Sequence, residues 1–557
     1  MTFSMHRFVA WGRAAALTAL ALVALPVANV AAQAPGAAAK PVAVISLSSV
    51  EETLADIGYV TRAAGAEDAG RTAILLGNAF TNGLDKKRPI GVYVIQSAGE
   101  FQGVGFIPVS DINVIFETFK EQIGEPKDVG DGILEVGTAQ TAYVKEVNGW
   151  AFVSQNKEHL AKLPADPAAL LGKLPSQYNV AVKVFSQNFD PQLKKLAVDE
   201  MKAGLERGLE NSNSDVNPEV AEALGRQIVE DMARLINESD ELTLGLAIDA
   251  QSKTTYIDFA LTAVEGSQMA QQMATLQESK TAFGGFLMDE AAVTLGATSK
   301  LAPQDIKRVQ QMLKQLREEA MKEIDNDPDL AAGKREEAKA VVGKFITVLD
   351  QTVAAGRIDM GAALVLEPKS IAFASGGLVA DGKALEDAVK DLVELAKDEP
   401  EFPSVKLNAA QHGGVTFHRL TAPIPETEEE ARELFGESID IVLGTSGKSV
   451  YLAFGDKCED LLKKVIDSSA QQAQATVPPF QFNVAVLPIL KFAESVDDNP
   501  VVPALVQLLE KAGNDRVSLR ATPIPRGVQY RLEVQEGVLQ VIGEAGKRFS
   551  GGANAGL

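Results

Sequence analysis

Hydrophobic positions along the chain switch between two periods. Leu385, Val389, Leu392 and Leu395/Ala396 fall on one face of a 3.6-residue helix. Residues 42–47 read instead as a short β-rich strand, and 90–95 with 103–109 as a β-hairpin. After the first strand, Ser48 or Ser49 is placed to cap a helix, with Glu51 and Glu52 in a first turn that the helix dipole favours. The spacing predicts that helix to about residue 64, a loop over 65–70, a second helix over about 71–83, the hairpin, and a helix over 111–124. The order is strand, helix, helix, hairpin, helix.

That order recurs three times. It returns as strand 178–185, helices 191–209 and 218–237, hairpin 242–249/255–262 and helix 266–276. The third unit is strand 292–297, helices 303–324 and 328–354, hairpin 358–366/370–379 and helix 383–397. The fourth is strand 482–487, helices near 490–496 and 500–512, hairpin 516–522/528–535 and helix 537–548. Three strands precede the second unit, 133–137, 142–147 and 150–154, the last two joined by the hairpin turn Asn148-Gly149. Three more precede the fourth, 415–421, 439–444 and 449–454. A helix follows each set, near 157–163 and 457–468. Tyr178-Asn-Val-Ala-Val182 is echoed by Phe482-Asn-Val-Ala-Val486, which marks an internal duplication.

The expected fold class is therefore α+β: an internally duplicated two-lobe protein with mainly antiparallel sheets covered by helices, built from four strand–helix–helix–β-hairpin–helix units. The lobes are read as 41–283 and 286–549, divided at Gly284-Gly285, and each is expected to fold alone. A flexible linker, 33–40, precedes them. A small, Gly-rich tail, 550–557, is expected to be disordered.

Composition narrows the class. The 557 residues are 46% hydrophobic and 23% charged, a globular balance. Arg7 and Arg13, the apolar run 14–25, Pro26 and the small residues 30–32 read as a secretory signal peptide, residues 1–32, cleaved before Gln33. No span is expected after cleavage, since the run is short and interrupted by Pro26. Removing two arginines and no acid takes the formal charge from −22 to −24. So acidic a surface argues against nucleic acid and anionic lipid as partners. Cys458 stands alone, so no intrachain disulfide forms.

Candidate chemistry is thin. Asp325, Asp327, Asp329 and Glu336 fall at positions 1, 3, 5 and 12 of an EF-hand-style loop, as do Asn211, Asn213, Asp215 and Glu222 with Asn217 at position 7. Position 6, where glycine makes the sharp turn, is Leu330 or Val216. Helix capping explains Asn217-Pro218, Asp327-Pro328 and Asn499-Pro500 without a metal. His412 and His418 share strand parity if 412–418 is extended, but no third zinc ligand is identified. His412-Gly413-Gly414 lacks an accompanying nucleophile elbow. Gly444-Thr-Ser-Gly-Lys-Ser449 lacks the first glycine of a phosphate loop and precedes a strand, so it reads as a hairpin turn. Cys458 beside Lys457 has no base partner and reads as a packed thiol. Trp150, the one tryptophan after the leader, is expected to anchor the β-insert.

No catalytic residue, metal ligand or cofactor site is assigned. The reading is an exported protein of the periplasm or extracellular space, most simply a non-catalytic binding or scaffold protein. Its expected partner is a protein, peptide or apolar small molecule. The alternatives are a hydrolase assembled between lobes and a calcium-stabilised structural protein.

Overall fold

A computed structural model describes residues 40–552 apart from 98–99, 139, 211–217, 278, 329, 331, 398–401 and 474–475. The signal peptide, most of the linker, the loop around Asn211 and the last five residues lie outside the described residues. The chain forms two compact units: one runs to Gln271 and includes everything from Ile524, the other is Gln272–Pro523. Each is a mixed helical and antiparallel-sheet body.

The first unit opens with β1 (Pro41–Ser49), whose Val42, Val44, Ser46 and Ser48 are buried in strict alternation. Ser49 accepts from the Glu52 amide at 3.2 Å and starts α1 (Val50–Ala63). α2 (Glu67–Phe80) begins four residues earlier than the spacing predicts, with Glu67 and Asp68 in its first turn. It lies close on α1: a Cβ on Gly77 would stand 2.5 Å from the Leu54 side chain. The hairpin β2 (Pro89–Ser97) and β3 (Glu100–Pro108) follows. Asp111 caps α3 (Ile112–Thr118), which breaks at Phe119 into a separate turn, α4 (Lys120–Ile123), where one continuous helix was expected.

β4 (Lys127–Asp128), β5 (Ile133–Val136), β6 (Ala142–Val147) and β7 (Trp150–Ser154) form the insert. Asn148 and Gly149, at φ 54 and 72, make the turn that right-handed strand twist favours. Trp150 is buried against Phe106, ring centroids 5.6 Å apart. The Arg88 guanidinium covers its ring at 3.8 Å and donates to the Gly149 carbonyl, tying the core to the turn. β8 (Val180–Phe185), α5 (Pro191–Glu210), α6 (Pro218–Glu238), β9 (Ser239–Asp249) and β10 (Thr254–Ala263) complete the run. Strand Gly527–Gln535, expected in the second lobe, pairs with β10 from Thr254↔Gln535 to Thr262↔Gly527 and removes what would otherwise be an open edge. Helix Glu536–Gly552 follows it and extends three residues into the expected tail. Spatial order is β4-β5-β6-β7-β3-β2-β1-β8-β9-β10-(527–535), every pair antiparallel.

The second unit contains β11 (Val293–Lys300), α7 (Pro303–Asn326), α8 (Ala332–Ala354), β12 (Arg357–Glu367), β13 (Ser370–Leu378), α9 (Gly382–Ala396), β14 (Ser404–His412), β15 (Val415–Pro423), β16 (Ser438–Thr445) and β17 (Ser449–Gly455). α10 (Cys458–Gln472), β18 (Phe480–Ala485), α11 (Val486–Val496), α12 (Val502–Ala512) and β19 (Arg516–Ile524) follow. Spatial order is β14-β15-β16-β17-β13-β12-β11-β18-β19. The core gathers Phe283, Phe286, Phe417 and Leu462. Gly285 lets its segment meet α10: a Cβ there would stand 2.3 Å from the Val465 carbonyl, and its amide donates to Ser469.

Candidate ligand pocket

In the first unit α1, α2 and α3 do not close fully on the sheet. They leave a cavity of about 420 Å³, within the size range of small-molecule sites. Leu54 and Ile57 of α1, Leu76 and Phe80 of α2, and Ile115 and Phe116 of α3 form its walls. Leu54 and Ile57, and Leu76 and Phe80, stand three and four residues apart, the spacing of an inward helix face, and Ile112 stands three and four residues before Ile115 and Phe116 in the same way. Val92, Ile107 and Val153 form the sheet floor. Phe80 stacks on Phe119 at 6.1 Å, holding the end of α2 against the break between α3 and α4. The approach of α3 is fixed by the Gly83 carbonyl, which accepts from the Ser110 and Asp111 amides just before it.

Three hydroxyls reach this lining, and all are occupied: Ser48 and Thr53 bond each other at 3.2 Å, and Thr81 donates to the Gly77 carbonyl. No titratable side chain is among the described residues that line it. Such a cavity offers burial for hydrocarbon. Sequence reasoning did not single out these residues. The signal was present in Ile112, Ile115, Phe116 and Phe119, an apolar i, i+3, i+4, i+7 set on a helix too short to need four large residues.

The sequence candidates are scattered. His412 and His418 do not share a face. Gly413 and Gly414, at φ 55 and 79, turn the chain between β14 and β15, and His412 sits opposite Val415, so His418 points the other way. His412 meets Asp467 of α10 at 2.8 Å. Cys458 is buried, and burial pushes its thiol up to about 11, the reverse of a reactive thiolate. Residues 444–449 form the β16–β17 turn. Asp325 and Glu336 share Lys339 as ion-pair partner, Asp327 ends α7, and α8 starts at Ala332, not after Pro328; Asp329 lies outside the described residues. Asn499 accepts from the Val501 amide in a turn ahead of the helix, but α12 starts at Val502 with Val501 at its N-cap, so Asn499-Pro500 does not cap it as expected. Among the described residues no three His, Cys, Asp or Glu side chains converge as metal ligands.

Among the described residues, His418 is the one buried histidine with a polar chain behind it. The Asn408 amide donates to Nδ1 at 3.3 Å, which leaves the proton on Nε2, 3.4 Å from Thr445 Oγ1. Thr445 donates in turn to Glu386, which Lys390 and Lys383 hold at about 2. Burial lowers the His418 pKa, with Glu386 opposing and Lys390 and Lys383 reinforcing that shift. The unfolded imidazole takes its proton near pH 6.5 while the folded one resists, so stability is full above 6.5 and is lost as pH falls toward the lowered folded value. The second unit is expected to melt at a constant temperature from pH 8 to 7 and progressively lower from 6.5 to 5 in scanning calorimetry. His418→Gln is expected to remove most of that slope, and an unchanged slope in the variant contradicts the assignment.

No family model, curated protein or solved structure matches the chain. Among the described residues, no helix is long and apolar enough to cross a membrane.

Proposed function

We propose that the protein is an exported, non-catalytic binding protein whose ligand is an apolar small molecule held under α1, α2 and α3. The observation that carries this reading is the pocket lining: aliphatic and aromatic throughout, with its few hydroxyls bonded to the protein and no ionisable group. Each methylene moved from water into such a lining contributes about 0.8 kcal/mol. The uncharged dye N-phenyl-1-naphthylamine is expected to bind with one saturable site per chain and a fluorescence rise. A linear, unsaturable response indistinguishable from that of a pocket-free control protein contradicts the reading.

Export rests on the leader-like residues 1–32. A mature N-terminus at Gln33 in envelope or medium fractions is the expected finding, and a cytoplasmic chain retaining Met1 contradicts it. Duplication is supported by strand order: β5-β6-β7-β3-β2-β1-β8-β9 in the first unit is matched by β15-β16-β17-β13-β12-β11-β18-β19 in the second. The echoed motifs themselves do not share a register: Val180 pairs with Leu47, the seventh residue of β1, whereas Val484 pairs with Val293, the first of β11, and Val486 opens α11 where Val182 lies within β8. A crystal structure in which these two strand orders differ would remove that support.

A further inference from the structure

The pocket floor does not stop at the pocket. Leu47, which lines it, pairs across the sheet with Val180, and the same row continues through Leu246, Ile257 and Leu532. A second row runs from Ile45 through Val182, Leu244, Phe259 and Tyr530. Residues directly opposite in antiparallel strands share a face, with Cβ atoms about 5 Å apart. The floor therefore extends as one apolar strip across β8, β9, β10 and strand 527–535. Seven of its side chains, Val180, Leu244, Leu246, Ile257, Phe259, Tyr530 and Leu532, are 37–52% exposed, an open apolar face of the kind that marks a binding surface.

The register that presents this face is fixed from behind. Asp258 and Arg531 stand directly opposite each other and are joined by two hydrogen bonds, at 2.8 and 2.7 Å. A one-residue slip of strand 527–535 turns Tyr530 and Leu532 to the other face and breaks that buried pair.

We propose that the strip is the second half of the ligand site and receives an extended hydrocarbon chain whose other end occupies the pocket. This rests on the pocket reading. The rows begin on β2, where Ile90 and Val92 pair with Leu47 and Ile45, and from there to strand 527–535 they span five strand spacings, about 24 Å, so the occupant is a long-chain lipid. A peptide fits poorly, because β8, β9 and β10 are each paired on both sides and offer its backbone no hydrogen bonds. A second copy meets the mutual repulsion of mature chains carrying −24 each.

The test is displacement of N-phenyl-1-naphthylamine from the full mature chain by monoacylglycerols with decanoyl, tetradecanoyl and octadecanoyl chains. Affinity is expected to keep rising through the octadecanoyl compound, by up to about fourfold per methylene. Combining Leu244→Ser with Phe259→Ser is expected to weaken octadecanoyl binding about tenfold or more and leave decanoyl binding unchanged. If this variant binds all three like the parent while Ile115→Asp loses all three, the chain stays in the pocket and the strip proposal is wrong, though the pocket reading stands. If decanoyl glycerol fails to compete in the parent, both readings fall together. A change in oligomeric state with unaltered lipid binding assigns the strip to a second copy and overturns the proposal. Far-ultraviolet circular dichroism melts confirm that each variant is folded.

Discussion

Asp258→Ala is expected to cost the first unit about 1.5–3 kcal/mol, the range for losing hydrogen bonds to a charged group. Asp258 is fully buried in β10. It accepts from Nε and Nη2 of Arg531, from the Tyr178 hydroxyl at 2.9 Å and from Gln529. Arg531 also lies 3.7 Å over the Tyr256 ring. Removing the carboxylate leaves a guanidinium and a half-buried phenol without their acceptor, and each group carries its own desolvation penalty. Arg531→Lys keeps the charge, loses the fork and the stacking, and is expected to cost less. Urea denaturation followed by tryptophan fluorescence reads this unit, since Trp150 lies in its core. A loss under about 1 kcal/mol for Asp258→Ala shows that the network does not hold strand 527–535 in place.

Ala73→Trp is expected to abolish dye and lipid binding by about a hundredfold while leaving the melting temperature equal or higher. Ala73 lines the cavity from α2, and a large apolar side chain there fills the space a ligand needs. Cavity filling commonly adds about 0.5–2 kcal/mol. Ile115→Asp is expected to lose binding by a similar factor for the opposite reason, a charge placed in a wall that cannot solvate it. It lowers stability, which Ala73→Trp does not. Agreement of two variants that move stability in opposite directions separates loss of the site from loss of the fold. Unchanged dye affinity in Ala73→Trp contradicts the assignment of the pocket.

Local signals carried much of the fold. Asn148-Gly149 specifies its turn through positive φ at both residues, and Ser49 caps α1 because a hydroxyl there reaches the Glu52 amide. Strands β6 and β7 lie where the sequence placed them on either side of that turn. β14 was missed for a physical reason: Asn408 takes φ 52 and the pairing register shifts between Lys406 and Ala410, so a bulge breaks the period of two on which strand reading depends. The histidine pair was misplaced because a Gly-Gly turn inverts the chain between them. Asp258 and Arg531 are 273 residues apart, a separation at which single-sequence periodicity carries no pairing information.

The pocket was illegible for a different reason. The apolar faces of α1, α2 and α3 have the same spacing whether they meet a sheet or stand off it, and only tertiary distance separates a core from a cavity. The open strip hides in the same way. Leu244, Leu246, Ile257 and Phe259 alternate like any core strand, and only their exposure sets them apart.

Native mass spectrometry on the mature chain isolated from its own host's envelope and medium tests the central claim most directly. The account predicts an added mass of a few hundred daltons that partitions into organic solvent, present on the parent chain and missing from Ala73→Trp. A bare parent chain that also fails to take up N-phenyl-1-naphthylamine contradicts it.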